Sequence, residues 1–148
     1  GAFLGRKFIT RSRGRGKEQD ASMATVLVVE DDPDLRFLYA AALTRHGHTV
    51  VTTPETIPAL LELTNRAIDV IVLDLALPDL PGTRLLEFMR DDPRLRPIPV
   101  IVISGKHTLE ERVLALGAAE FVVKPVRMVA LVELIDRLAH DLPPGDQP

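Results

Sequence analysis

Four times along this chain a short run of valine, isoleucine and leucine stops on a residue that carries chemistry. Val26-Leu27-Val28-Val29 ends in Glu30-Asp31-Asp32, and Val70-Ile71-Val72-Leu73 ends in Asp74. Val100-Ile101-Val102-Ile103 ends in Ser104-Gly105, and Phe121-Val122-Val123 ends in Lys124-Pro125. Apolar runs without polar alternation read as strands buried on both faces. Such a strand has no use for a charge at its end unless it delivers that charge to a site. In open parallel sheets, ligands bind beyond the carboxyl ends of the strands, near the point where strand order reverses. The four runs therefore bring acids, a lone carboxylate, a hydroxyl and an ammonium to one rim.

The segments between the runs carry helical spacing. Strand one spans about Thr25–Glu30, and Asp32-Pro33 then opens a helix as N-cap and first helical residue. Leu35, Leu38, Tyr39, Ala42 and Leu43 recur on one face of that helix, and Gly47 ends it. His48–Thr52 reads as a second strand. A second helix carries Pro58 in its first turn and ends near Arg66. Strand three is Asp69–Leu73, followed by a loop with Pro78, Pro81 and Gly82 and a helix over Thr83–Arg90. Strand four is Val100–Ile103. A short fourth helix, Leu109–Leu116, stops at Gly117; strand five is Glu120–Val123 and helix five Met128–His140. Five strands alternating with five helices predict an α/β domain, a doubly wound five-stranded parallel sheet with helices on both faces.

Composition narrows the function. The 148 residues are 46% hydrophobic, which suits a globular domain with its own core. No apolar run approaches the roughly 18 residues that a membrane span needs. The chain has no cysteine, which removes disulfides, thiolate metal sites and thiol catalysis. No secretory signal is visible, so a cytoplasmic location is the default expectation. Residues 1–22 hold six of the 18 Lys+Arg and two of the 21 Asp+Glu, a net of +4. The remaining 12 and 19 leave residues 23–148 at −7. An acidic domain is a poor direct binder of nucleic acid. Residues 1–22 read as a leader or a disordered basic extension ahead of Met23, with a nucleic-acid arm as the alternative. Residues 142–148 read as a flexible tail.

Each candidate residue has a plainer explanation beside the chemical one. Glu30 and Asp31 could be a solvated acidic loop. Next to Asp74, however, they would repel unless a hard cation lay between them, and oxygen-only ligation suits Mg²⁺ or Mn²⁺. Asp74 could cap a turn, or it could be a nucleophilic carboxylate that accepts a phosphoryl group. Phosphoryl transfer asks for positioning, a divalent cation and positive charge on the phosphoryl oxygens. Lys124 supplies that charge; residues 23–148 contain ten Arg but only Lys106 and Lys124, so a compact ammonium at a strand end is a choice. Ser104-Gly105 could be a simple turn, or a hydroxyl donor with room for close approach. The four histidines, His46, His48, His107 and His140, show no metal or catalytic spacing and read as surface residues.

Taken in order, these motifs resemble the receiver domain of bacterial two-component response regulators, over residues 24–140. The resemblance rests on Val28-Val29-Glu30-Asp31-Asp32-Pro33, Leu73-Asp74-Leu75-Ala76-Leu77-Pro78-Asp79-Leu80-Pro81-Gly82, Val102-Ile103-Ser104-Gly105 and Gly117-Ala118-Ala119-Glu120-Phe121-Val122-Val123-Lys124-Pro125. It implies a flavodoxin-like sheet of strand order 2-1-3-4-5 and a receiver domain over residues 23–141. It makes Asp74 the phosphoacceptor, and it implies Mg²⁺ bound by Asp31, Asp74 and the carbonyl of Ala76, with Glu30 acting mostly through water. Ser104 matches the switch hydroxyl and Phe121 the switch aromatic. Lys124 matches the family lysine, followed by a cis bond to Pro125. The chain departs from the pattern at Gly105 and Val126, where Ala and Phe are common. The stretch from Ser104 to Lys124 is about two residues shorter than usual.

The expected function is that of a response regulator receiver, stand-alone or cut from a longer protein. It would take its phosphoryl group from a sensor histidine kinase or a histidine phosphotransfer protein and control an unidentified downstream protein. The face from helix four through strand five to helix five would meet that partner or a second subunit. Such a receiver is not an enzyme in the ordinary sense, although it catalyses its own phosphorylation and slow dephosphorylation. Two alternatives stand beside it. One is a Mg²⁺-dependent phosphohydrolase with an aspartyl nucleophile, although the position two residues on, where a general acid is needed, is Ala76. The other is nucleic-acid binding through residues 1–22.

Overall fold

A computed structural model describes residues 23–141. The expectations for residues 1–22 and 142–148 lie outside that range. Five parallel strands, β1 (Thr25–Val29), β2 (Thr49–Thr53), β3 (Val70–Asp74), β4 (Val100–Ser104) and β5 (Glu120–Val123), form one sheet in the order β2-β1-β3-β4-β5. The helices are α1 (Pro33–Arg45), α2 (Thr56–Asn65), α3 (Gly82–Arg90), α4 (Glu110–Ala115) and α5 (Met128–His140). The doubly wound sheet and its 2-1-3-4-5 order are as expected.

Side-chain alternation builds two cores from the same strands. Leu27, Val29, Ile71, Leu73, Val100 and Val102 pack on the side that also holds Ala59, Leu63, Leu85 and Val113 from α2, α3 and α4. Val26, Val28, Val70, Val72, Ile101 and Ile103 pack with Tyr39, Leu43, Leu131 and Ile135 from α1 and α5. Every residue of β3 and β4 is buried, which is why those strands carry no polar alternation. The edge strands are mixed, Thr-rich β2 and Glu120-led β5, and are partly exposed. Ile71 pairs with Leu27 on one side and Val100 on the other, at the sheet's centre. Truncation of Ile71 to Ala is expected to cost about 2–5 kcal/mol.

Helix boundaries follow the local chemistry. Asp32 caps α1, its Oδ1 accepting the backbone N–H groups of Asp34 at 2.9 Å and Leu35 at 3.3 Å. Gly47 and Gly117 follow the C-caps of α1 and α4 with φ of 99° and 107°, a conformation that favours glycine. After Ser104 one 3₁₀ turn, His107–Leu109, leads directly into a six-residue α4.

One expectation is corrected. His48 is not a surface residue: its side chain is fully buried at the amino end of the sheet. Its Nδ1 accepts the Ala24 N–H at 3.0 Å, which places the ring proton on Nε2, 2.8 Å from Asp136 Oδ1 on α5. That carboxylate is 88 residues away in the chain, so no local spacing signals it. A buried imidazole without both partners would have been costly, and tertiary contacts supply them.

Candidate functional site

The carboxyl ends of β1, β3, β4 and β5 converge at the point where the strand order reverses, between β1 and β3. Asp74 is the last residue of β3 and is 5% exposed. Its Oδ1 accepts the Ala76 N–H at 3.2 Å, and its Oδ2 lies 3.4 Å from Lys124 Nζ. Glu30, just beyond β1, is 1% exposed. One of its oxygens, Oε2, accepts the Asp32 N–H at 3.1 Å. The other, Oε1, lies 3.8 Å from Lys124 Nζ and is buried without a hydrogen bond. Asp31 is exposed at the mouth. One oxygen each from Glu30, Asp31 and Asp74 fall within 4.8 Å of one another.

Three carboxylates in that space need positive charge, and Lys124 alone supplies less than they carry. Burial raises the Glu30 carboxyl to a pKa of about 7; the Asp74 charge adds to the rise, while the Asp32 N–H and Lys124 oppose it. Tyr39, buried under the acids from α1, has its phenol pushed up to about 12 by burial and then by the charges of Glu30, Asp74 and Asp32. An orphaned carboxylate oxygen facing two further carboxylates fits a hard divalent cation. Glu30, Asp31, Asp74 and the Ala76 carbonyl are the groups that would hold one.

On the other side of Asp74, Ser104 closes β4 at 6% exposure, its Oγ accepting the Lys106 N–H at 3.0 Å. Its carbonyl accepts the Lys124 N–H at 2.9 Å, fixing the end of β4 against the lysine. The Lys124–Pro125 peptide is cis. Phe121 pairs in register with Val102 and packs half-buried against the core on the α4 side. The structure therefore brings Glu30, Asp31, Asp74, Ala76, Ser104 and Lys124 to one rim, with Phe121 on the adjacent strand, two residues before Ser104's register partner Val123.

Sequence reasoning missed two supports. Arg36 Nη1 donates to the carbonyls of Glu30 at 2.8 Å and Asp31 at 3.3 Å, holding the acidic loop. A cation early in a helix works against the helix dipole, and that signal was there to be read. Asp79, in the loop after Asp74, caps the amino end of α2 across 23 residues of sequence, which no local pattern reveals.

Comparison with known proteins matches the model of the response regulator receiver domain to residues 26–136. An uncharacterised 14.6 kDa protein of Leptolyngbya boryana is 30% identical over 128 residues, covering 85% of this chain and 98% of that one. The KDP operon transcriptional regulatory protein KdpE of Escherichia coli is 37% identical over 105 residues, covering 70% of this chain but 45% of its own. The chain thus spans nearly all of one relative and less than half of the other. Among solved structures, the signal receiver domain of a signal transduction histidine kinase from Syntrophus aciditrophicus superposes with a TM-score of 0.77 at 26% identity, covering 84% of this chain and 96% of that one. This chain belongs to the response regulator receiver domains, signalling phosphoacceptors rather than classical enzymes.

Proposed function

We propose that Asp74 accepts a phosphoryl group from a sensor histidine kinase or a histidine phosphotransfer protein, in a Mg²⁺-dependent reaction in the cytoplasm, and that the phosphorylated chain switches conformation to control a partner. One observation carries this reading: Asp74 is a nearly buried carboxylate with an ammonium 3.4 Å away and a strand-end hydroxyl on the neighbouring strand. In the transfer, an Asp74 oxygen forms a bond to phosphorus as the donor's nitrogen–phosphorus bond breaks, its electron pair returning to the imidazole. Lys124 balances charge on one phosphoryl oxygen, and the Ser104 hydroxyl donates to another. A cation held by the acids supplies charge neutralisation among the carboxylates and phosphoryl oxygens. Water later cleaves the acyl phosphate and restores Asp74.

A phosphohydrolase acting on outside substrates is less well supported, because Ala76 offers no general acid. Leu114 on α4, Val123 on β5 and Val129 on α5 are exposed on the face proposed for the downstream protein or a second subunit. Asp31 provides the test of the cation. Asp31→Ala is expected to raise the Mg²⁺ dissociation constant at least about tenfold by titration, and an unchanged value would remove Asp31 from the site.

A further inference from the structure

The loop that follows Asp74 is tied at three places. Gly82 N–H and Leu77 N–H both donate to the Leu75 carbonyl, at 3.0 and 3.1 Å. A side chain at Gly82 would meet the Asp74 carbonyl oxygen at 2.8 Å and Leu75 Cα at 2.9 Å, so backbone packs directly on backbone there. The third tie leaves the loop altogether. Asp79 Oδ1 accepts the Thr56 N–H at 2.9 Å and the Leu80 N–H at 2.7 Å, while Oδ2 accepts the Ile57 N–H at 2.8 Å. In return, the Thr56 hydroxyl donates to the Leu80 carbonyl at 2.8 Å.

Helix α2 has no cap of its own. Its N-cap residue, Glu55, makes no side-chain cap bond, and the first turn holds no acidic residue. Asp79 therefore does for α2 what Asp32 does for α1, but from a different part of the chain. The consequence runs both ways: α2 gains a cap, and the loop gains an anchor on a packed helix whose Thr56 is fully buried. Burial opposes ionisation of Asp79, but the Ile57, Thr56 and Leu80 N–H groups outweigh it and hold the carboxyl below its ordinary range.

The loop also carries Ala76, whose N–H is on Asp74 Oδ1. We propose that Asp79 is a positioning residue for phosphoryl acceptance: by anchoring the loop between β3 and α3 to the amino end of α2, it holds the Ala76 peptide against Asp74. This rests on Asp74 being the phosphoacceptor.

The test uses the full chain, acetyl phosphate with Mg²⁺, and intact mass to follow the adduct. Asp79→Ala is expected to slow phosphorylation at least about fivefold and to increase hydrogen exchange at the Ala76 amide. Asp79→Ala combined with Glu55→Ser gives α2 a local cap for the Ile57 N–H without restoring the anchor. Thermal stability is expected to recover in that pair while phosphorylation stays slow. Thr56→Val cuts only the hydroxyl tie to Leu80 and leaves the cap; it is expected to slow phosphorylation about threefold in a folded protein. Parent-like rates in Asp79→Ala or Thr56→Val would overturn the proposal, as would Glu55→Ser restoring rate and stability together. A parent chain that takes no phosphoryl group would overturn the phosphoacceptor reading first, and this one with it.

Discussion

The Lys124 ammonium stands 3.4 Å from Asp74 and 3.8 Å from Glu30, so one cation leans on two buried acids. Its backbone N–H meanwhile holds the Ser104 carbonyl. A cis proline bond follows it, and the side chain reaches back across β4 to β3 and β1 from the far edge of the sheet. Three strand ends are joined through this residue.

Lys124→Met is therefore expected to slow phosphorylation of Asp74 by acetyl phosphate at least about tenfold, the scale of a lost transition-state charge partner. Lys124→Arg should not restore the rate, because a planar fork cannot place one compact charge between two carboxylates. A parent-like rate in Lys124→Met would contradict the assigned role.

Glu30 makes a pH prediction for the protein held in chelator. Its folded-state pKa is raised, from 4.5 to about 7, so the folded chain binds this proton more tightly than the unfolded chain. Stability must then fall as pH rises between those values. The contribution is no more than about 3 kcal/mol. Glu30→Gln should remove that slope, so denaturant titrations at pH 5 and pH 8 would differ less in the variant. An equal difference in both proteins would show that Glu30 does not carry the raised pKa.

The switch prediction joins Ser104 to Phe121. Phosphorylation adds charge and acceptor oxygens beside Ser104. If its hydroxyl leaves the Lys106 N–H for them, space opens behind it at the sheet edge. Phe121, half-buried on the next strand, can turn inward without burying an unpaired polar group. The phosphoryl group shifts this equilibrium only by its differential affinity for the two arrangements. Ser104→Ala should still accept a phosphoryl group but should lose the response at Phe121. A fluorine label on Phe121, followed by NMR with and without beryllofluoride, reads this directly; an unchanged shift in Ser104→Ala would refute the coupling.

Local chemistry made most of this fold legible. The apolar runs marked β1, β3, β4 and β5, and Asp32-Pro33 and Gly47 marked both ends of α1. Helix α5 and β5 have the boundaries that periodicity predicts. The strand order came only with the family resemblance, because alternation of strands and helices is the same for several orders. Long-range polar pairs were illegible: His48 with Asp136, and Asp79 with Thr56. Each side chain is ordinary in its own neighbourhood, and only the folded sheet brings the partners together. The start of α2 carries no local cap signal for the same reason, since its cap lies in another loop.

The roles given to Lys124, Ser104 and Asp79 all rest on Asp74 being the residue that takes the phosphoryl group. Intact-mass analysis of the parent and of Asp74→Asn, each incubated with acetyl phosphate and Mg²⁺, tests that most directly. The parent is expected to gain one phosphoryl adduct, while the Asn variant, folded by circular dichroism, gains none. An adduct on the Asn variant, or none on the parent, would contradict the assignment.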